Sequence, residues 1–197
     1  KEQTVWLAWQ DCLRTRLQDS EVHSMSTLQP VKGAFYRRFQ PNSYKENDGK
    51  AKKVVSNYLL HNGHTNISTG ENFSFDIKSE KDGHTYFSEV EMKNQWNPQI
   101  PPTKIANWNP KWKEIRIPHR KIKLINKFRE LTENHIHLGF FNFYVIRSDC
   151  EYAWRIKDYQ MTQECIKEIW LGNAGRKEHF FHIPFEEAEL VKLRIDK

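Results

Sequence analysis

Residues 72–93, NFSFDIKSEKDGHTYFSEVEMK, decide how the chain is read. Two runs of period-two alternation, Asn72 to Lys78 and His84 to Lys93, flank residues 79–83. Asp82-Gly83 is a preferred dipeptide for a two-residue turn of the primed type, because both central positions need positive φ. The segment therefore predicts a β-hairpin. In its first strand Phe73, Phe75 and Ile77 point one way, and Asn72, Ser74, Asp76 and Lys78 the other. In its second, Tyr86, Val90 and Met92 form an apolar side, with Glu89, Glu91 and Lys93 on the polar side. With Asp82-Gly83 as the loop, Lys81 faces His84, and counting back sets Asp76 opposite Glu89 and diagonal to Glu91. Three carboxylates then share one face with Lys93. Like charges across a ladder destabilise it by up to about 1 kcal/mol a pair, so a purely structural sheet should avoid this pattern. A divalent cation would reverse the sign of the interaction.

Outward from the hairpin, Ala51, Val54, Val55, Tyr58 and Leu59 recur with a period of 3.6, which predicts a helix capped by Asn47 or Asp48 and stopped at Gly63. Its exposed side carries Lys50, Lys52 and Lys53. Further upstream, Trp6, Trp9, Leu13 and Leu17 give an amphipathic helix over Val5 to Leu17, and residues 20–45 read as irregular. Downstream, the prolines and tryptophans between Asn94 and Pro118 predict a long loop, and Ile122, Ile125, Phe128 and Leu131 make one stripe of a helix from His119 to Glu133. The apolar run His137 to Ile146 reads as a strand covered on both faces. Tyr152 to Ile156 reads as another strand, Met161 to Leu171 as a helix and Phe180 to Phe185 as a strand. The order predicts one α/β domain over 1–197 with a central mixed β-sheet flanked by helices. Its parts are an N-terminal helical extension (1–45), a core (46–157) and a C-terminal helix and strand (158–197).

The chain has 197 residues, with 12 Phe and 7 Trp to build a core. A formal net charge of +6 favours polyanionic partners, nucleic acid first and an anionic membrane surface second. The three cysteines, Cys12, Cys150 and Cys165, are far apart, which suggests neither a disulfide framework nor a cysteine zinc site. No run approaches the ~18 apolar residues of a membrane span, and no signal-peptide block opens the chain, so a soluble cytoplasmic protein is expected. His61 with His64, and His135 with His137, lack a third ligand at zinc-site spacing.

The residues Asp76 and Glu91-Met92-Lys93, on neighbouring strands preceded by a helix and followed by a helix and a buried strand, resemble the PD-(D/E)XK nuclease superfamily. The resemblance spans roughly residues 46–157 and implies a restriction-endonuclease-like fold. It further implies a magnesium-dependent DNA endonuclease that hydrolyses phosphodiester bonds by attack of a metal-activated water, with manganese able to substitute. Asp76 and Glu91 would be metal ligands, the Met92 carbonyl a third, Lys93 the catalytic lysine, and Glu89 and Gln95 supporting residues. Phe75 stands where many members have proline. An acid, any residue, then lysine also occurs at Asp48-Gly49-Lys50 and Asp76-Ile77-Lys78, and only Glu91 has a carboxylate placed opposite it.

Cations interleaved with Trp108 and Trp112 offer phosphate contacts and stacking planes. The expected nucleic-acid-binding residues are Lys111, Lys113, Arg116, Arg120 and Lys121, with Lys50 and Lys53 on the upstream helix. The bland alternative is a solvated charged face. DNA is the expected partner, without a membrane or a small-molecule cofactor. The Trp6 to Leu17 stripe suits either packing on the domain or a homodimer contact. A competing function is a nucleic-acid-binding module of the same fold without catalysis, and an RNA-directed nuclease is a variant of the first.

Overall fold

The computed structural model describes residues 27–33, 41–70, 75–93, 114–133, 139–171 and 175–194. The expected helix over Val5 to Leu17, and the residues Lys111, Lys113, Gln95, His135 and His137, lie outside these ranges.

Helix α1 (Pro41–His61) starts earlier than its sequence signals suggest. Proline lacks an N–H and so fits a first helical turn, which leaves Asn47 and Asp48 inside the helix rather than capping it. Ala51, Val55 and Leu59 form its buried stripe. The end is a Schellman motif: Gly63 (φ 82°) donates to the Leu60 carbonyl at 3.1 Å, and His64 to the Leu59 carbonyl at 3.0 Å. Three strands follow, β1 (Thr65–Thr69), β2 (Ile77–Lys81) and β3 (His84–Lys93), as an antiparallel meander. The hairpin register is the expected one, with Lys81 opposite His84 and Ile77 opposite Ser88. Asp82 (φ 51°) and Gly83 (φ 77°) supply the positive φ values of the turn. Strand β2 begins at Ile77 rather than Asn72, so Asp76 sits at its entrance. Phe75 and Ile77 accordingly join different core clusters instead of pointing one way.

The predicted loop up to Pro118 ends instead in a strand, β4 (Glu114–Pro118), because Ile115 and Ile117 alternate with polar residues and are fully buried. A 3₁₀ turn (His119–Lys121) leads into α2 (Ile122–Glu133), whose Ile122, Ile125 and Phe128 face the core. Strand β5 (Gly139–Arg147) then runs parallel to β3, with Thr85 opposite Gly139 and Lys93 opposite Arg147. A Cβ on Gly139 would stand 2.8 Å from the Thr85 carbonyl oxygen, so glycine is what lets β5 start this close to β3. Strand β6 (Tyr152–Lys157) pairs antiparallel with β5.

Beyond β6 the predicted helix over Met161 to Leu171 is absent. A 3₁₀ turn (Asp158–Gln160) leads to β7 (Ile166–Leu171), followed by β8 (Arg176–Pro184) and β9 (Glu189–Lys192). Ile166, Ile169 and Trp170 favour a pleated surface, and all six residues of β7 find partners on β8, which outweighs the weak helical spacing. The central sheet has the order β1-β2-β3-β5-β6-β9 and a second sheet the order β4-β8-β7. The protein is therefore α/β with a mixed central sheet and few helices. The C-terminal part is woven into both sheets rather than appended to them.

Both faces of the central sheet are covered, and on β3 the side that carries the charged residues also borders a core layer. Ile77, Val90, Tyr144, Ile146 and Val191 pack against α1. Phe87, Phe141, Phe143, Val145 and Trp154 pack against α2 and the second sheet through Ile125, Phe128, Phe181 and Ile183. The charged side chains of β3 thus lie beside an apolar layer. Among the described residues no helix is long and apolar enough to cross a membrane.

Candidate active site

Alternation along β3 sends Glu89, Glu91 and Lys93 to the same side as Phe87, which places them at the rim of the larger core. Asp76 lies across from them at the entrance of β2, where its Oδ2 accepts the Val90 N–H at 2.9 Å. Asp76 and Glu89 are only 7% and 3% exposed. Asp76 and Glu89 are close enough for their carboxyls to interact, and Glu91 stands two residues further along β3.

Each acid also meets a different lysine. Asp76 Oδ1 is 3.0 Å from the ammonium of Lys52 on α1, and Glu91 Oε1 is 2.5 Å from that of Lys93. Glu89 Oε1 accepts a charge-assisted hydrogen bond from Lys121, in the turn before α2. The other oxygens of the two glutamates, Glu89 Oε2 and Glu91 Oε2, are buried without a hydrogen-bond partner. Orphaned buried carboxylate oxygens are costly, and β3 carries two of them on alternate residues.

Electrostatics distinguish the two glutamates. Burial pushes the Glu89 carboxyl up to about 7, with the neighbouring Asp76 charge adding to the rise and Lys121 opposing it. Burial also works against the Glu91 charge, but Lys93, Lys121 and Arg120 more than offset it and hold this carboxyl below the usual range. Lys121 is half-buried, which works against its charge, yet Glu89, Glu91 and Asp76 more than offset this and raise its pKa above the ordinary lysine value. Burial likewise opposes the Lys52 charge, and Asp48 and Asp76 more than compensate.

Several residues stand elsewhere than expected. Lys52, expected on the exposed side of its helix, is only 8% exposed, because the carboxylates of half-buried Asp48 and buried Asp76 draw it inward. Lys121, expected as a surface contact for nucleic acid, is an inward-facing partner of Glu89. Arg116 belongs to β4 of the second sheet, where it pairs with Glu114 at 3.2 Å. Arg120 is exposed at the rim, within electrostatic reach of Glu91. Lys50 and Lys53 are exposed on α1, and the Lys50 ammonium donates to the Ser148 carbonyl at 3.5 Å. The Met92 side chain packs with the α1 layer, away from the acids. His64 is buried and its Nδ1 lies 3.0 Å from Ser79 Oγ, while His61 Nδ1 lies 2.7 Å from the Asn57 carbonyl oxygen, so these two histidines do not converge on a shared ion.

Asp48 and Lys52 are the site residues that sequence reasoning missed, and Lys121 was expected only as a nucleic-acid contact. The i, i+4 spacing of Asp48 and Lys52 is the one signal that could have found that pair. Among the described residues no group of three or more His, Cys, Asp and Glu is disposed to hold a metal by side chains alone. Carboxylate oxygens are the donor type that magnesium favours, and the two glutamates each offer one without a hydrogen-bond partner. No model of a known protein family matches the chain, and no curated protein matches it.

Proposed function

We propose that the protein is a divalent-cation-dependent nuclease that hydrolyses phosphodiester bonds of DNA. The observation that carries this reading is the pair of buried, unpartnered oxygens of Glu89 and Glu91, set beside Asp76 and the ammonium of Lys93. The element order supports it as well. A helix, an antiparallel meander, a helix and a strand parallel to the third strand form the arrangement that the restriction-endonuclease-like resemblance implies.

Glu89 and Glu91 would hold the cation, with Asp76 beside them, and magnesium and manganese both suit all-oxygen donors. Such an ion supplies Lewis-acid polarisation of a phosphoryl oxygen and a more acidic water. Lys93 places a positive charge where negative charge develops on the phosphate, and its hydrogen bond to Glu91 fixes where that charge stands. Lys121 orients Glu89 by holding its Oε1, which leaves Oε2 for the cation. Arg120, exposed beside Glu91, meets the backbone phosphates outside the cut site.

The same three ion pairs favour a second reading, a nucleic-acid-binding module without catalysis. With Lys93 on Glu91, Lys121 on Glu89 and Lys52 shared between Asp48 and Asp76, most of the negative charge on this face is offset without a cation. Incubation of the purified protein with plasmid, branched and single-stranded DNA, with and without magnesium, separates the two. The nuclease cuts at least one of these only when magnesium is present. Salt-sensitive binding without cleavage in either condition would establish the module instead.

A further inference from the structure

The ammonium of Lys52 has three N–H bonds, and each finds an acceptor. It lies 2.8 Å from Asp48 Oδ2, 3.0 Å from Asp76 Oδ1 and 3.2 Å from the Gly70 carbonyl oxygen. A lysine has three donors and no acceptor, so this group is saturated, and by partners from three separate stretches of chain. Asp48 comes from α1, Gly70 directly follows β1, and Asp76 precedes β2. The Gly70 N–H in turn donates to the Asp76 carbonyl at 3.0 Å, which ties two of those stretches to each other. With Oδ2 of Asp76 held by the Val90 N–H, the carboxylate is fixed through both its oxygens. Packing of Val55 and Leu59 in one cluster with Ile77 and Val90 keeps α1 seated on the hairpin.

We infer that Lys52 is a positioning residue of the cation site: it sets the orientation of the Asp76 carboxylate, and Asp48 holds the ammonium in place to do so. The inference rests on the nuclease reading, since it assigns the tie a role toward the cation. Charge supports it. Asp48 and Lys52 together are neutral, so Asp76 keeps its negative charge for an incoming ion rather than spending it on the lysine alone. Each carboxylate oxygen has a lone pair beyond the one already used. Partners that orient metal-binding side chains are typically worth about 10–100-fold in metal affinity.

The test is manganese binding to the full-length, metal-free protein, followed by electron paramagnetic resonance, with folding monitored by circular dichroism. Lys52→Met is expected to weaken binding by about tenfold or more per folded molecule. Asp48→Asn, at a partly exposed helix position, is expected to fold and to weaken binding at least threefold, roughly the lower end of such effects. A merely structural tie would lower the melting temperature and leave the affinity of the folded molecules unmoved. If Lys52→Met does not fold, Asp48→Asn decides by the same criterion. Wild-type binding with unchanged affinity in the folded variants would overturn the positioning role alone. Failure of the wild-type protein to bind manganese would overturn this inference together with the nuclease reading.

Discussion

Lys93→Ala is expected to lower magnesium-dependent DNA cleavage by about a hundredfold or more, while DNA binding changes by no more than a few fold. The Lys93 ammonium is bonded to Glu91 at 2.5 Å and stands at the end of the strand that carries both glutamates. It is one cation among the many that make the chain basic, so its removal scarcely alters the attraction of a polyanion. Its effect is confined to charge that develops as the phosphodiester bond breaks. Lys121 and Arg120 remain near Glu91 and continue to offset its buried charge, so the variant is expected to fold. Initial rates on plasmid DNA, together with binding measured in calcium, check the split. Cleavage within tenfold of wild type would remove Lys93 from the mechanism.

Glu89→Gln is expected to change how stability and magnesium affinity depend on pH. The Glu89 carboxyl is raised by burial from 4.5 to about 7, so between these values the folded protein holds a proton that the unfolded chain has lost. Its contribution to stability is therefore complete below about 4.5 and is lost as pH rises through about 7. The amount is on the order of 3 kcal/mol, at about 1.4 kcal/mol for each tenfold change in proton affinity between the folded and unfolded chain. His64, His119 and His182 act in the opposite direction, because burial lowers their pKa and favours folding as they become neutral. They are common to both proteins, so the difference between wild type and Glu89→Gln isolates the glutamate. Cation binding requires the ionised carboxylate, which makes wild-type magnesium affinity climb up to about tenfold per pH unit below 7 and level off above it. In the glutamine variant the affinity is weaker and the climb disappears. Urea melts and magnesium titrations at pH 5.5, 6.5 and 8 check both; a flat wild-type titration would contradict the placement of Glu89 at the ion.

The hairpin was legible in the sequence because its constraints are local. Asp82-Gly83 fixes the turn and the pairing of β2 with β3, and a period of two then sets Glu89 and Glu91 on one side of β3 without knowledge of the remaining chain. The buried strand after α2 was legible for a similar reason, since an unbroken run such as FFNFYVI has few other places to go. The second sheet was not. Strand β4 is five residues long and pairs with β8 residues 62 to 70 positions later, so nothing near Ile115 and Ile117 marks them as a strand. Strand β7 carries mixed polar and apolar residues whose spacing fits a helix about as well, and only its pairing with β8 decides the matter.

The lysines of the site were hidden by the same non-locality. Lys52 and Lys121 each lie in a run of basic residues that reads as a solvated face, and their burial follows from acids 24 and 32 positions away along the chain. Like-charge repulsion across the hairpin points to the acids, but by itself it calls only for a bound cation to balance them. The structure adds three ammonium groups, and what remains unmet is narrower than a three-carboxylate cluster: one oxygen on each of two glutamates.

That remaining demand is open to direct measurement. Crystals of the wild-type protein soaked in manganese, with data collected for anomalous scattering, are expected to show a peak within bonding distance of both Glu89 Oε2 and Glu91 Oε2, on the Lys93 side of β3. A map with no peak at those two oxygens under saturating manganese would contradict the account.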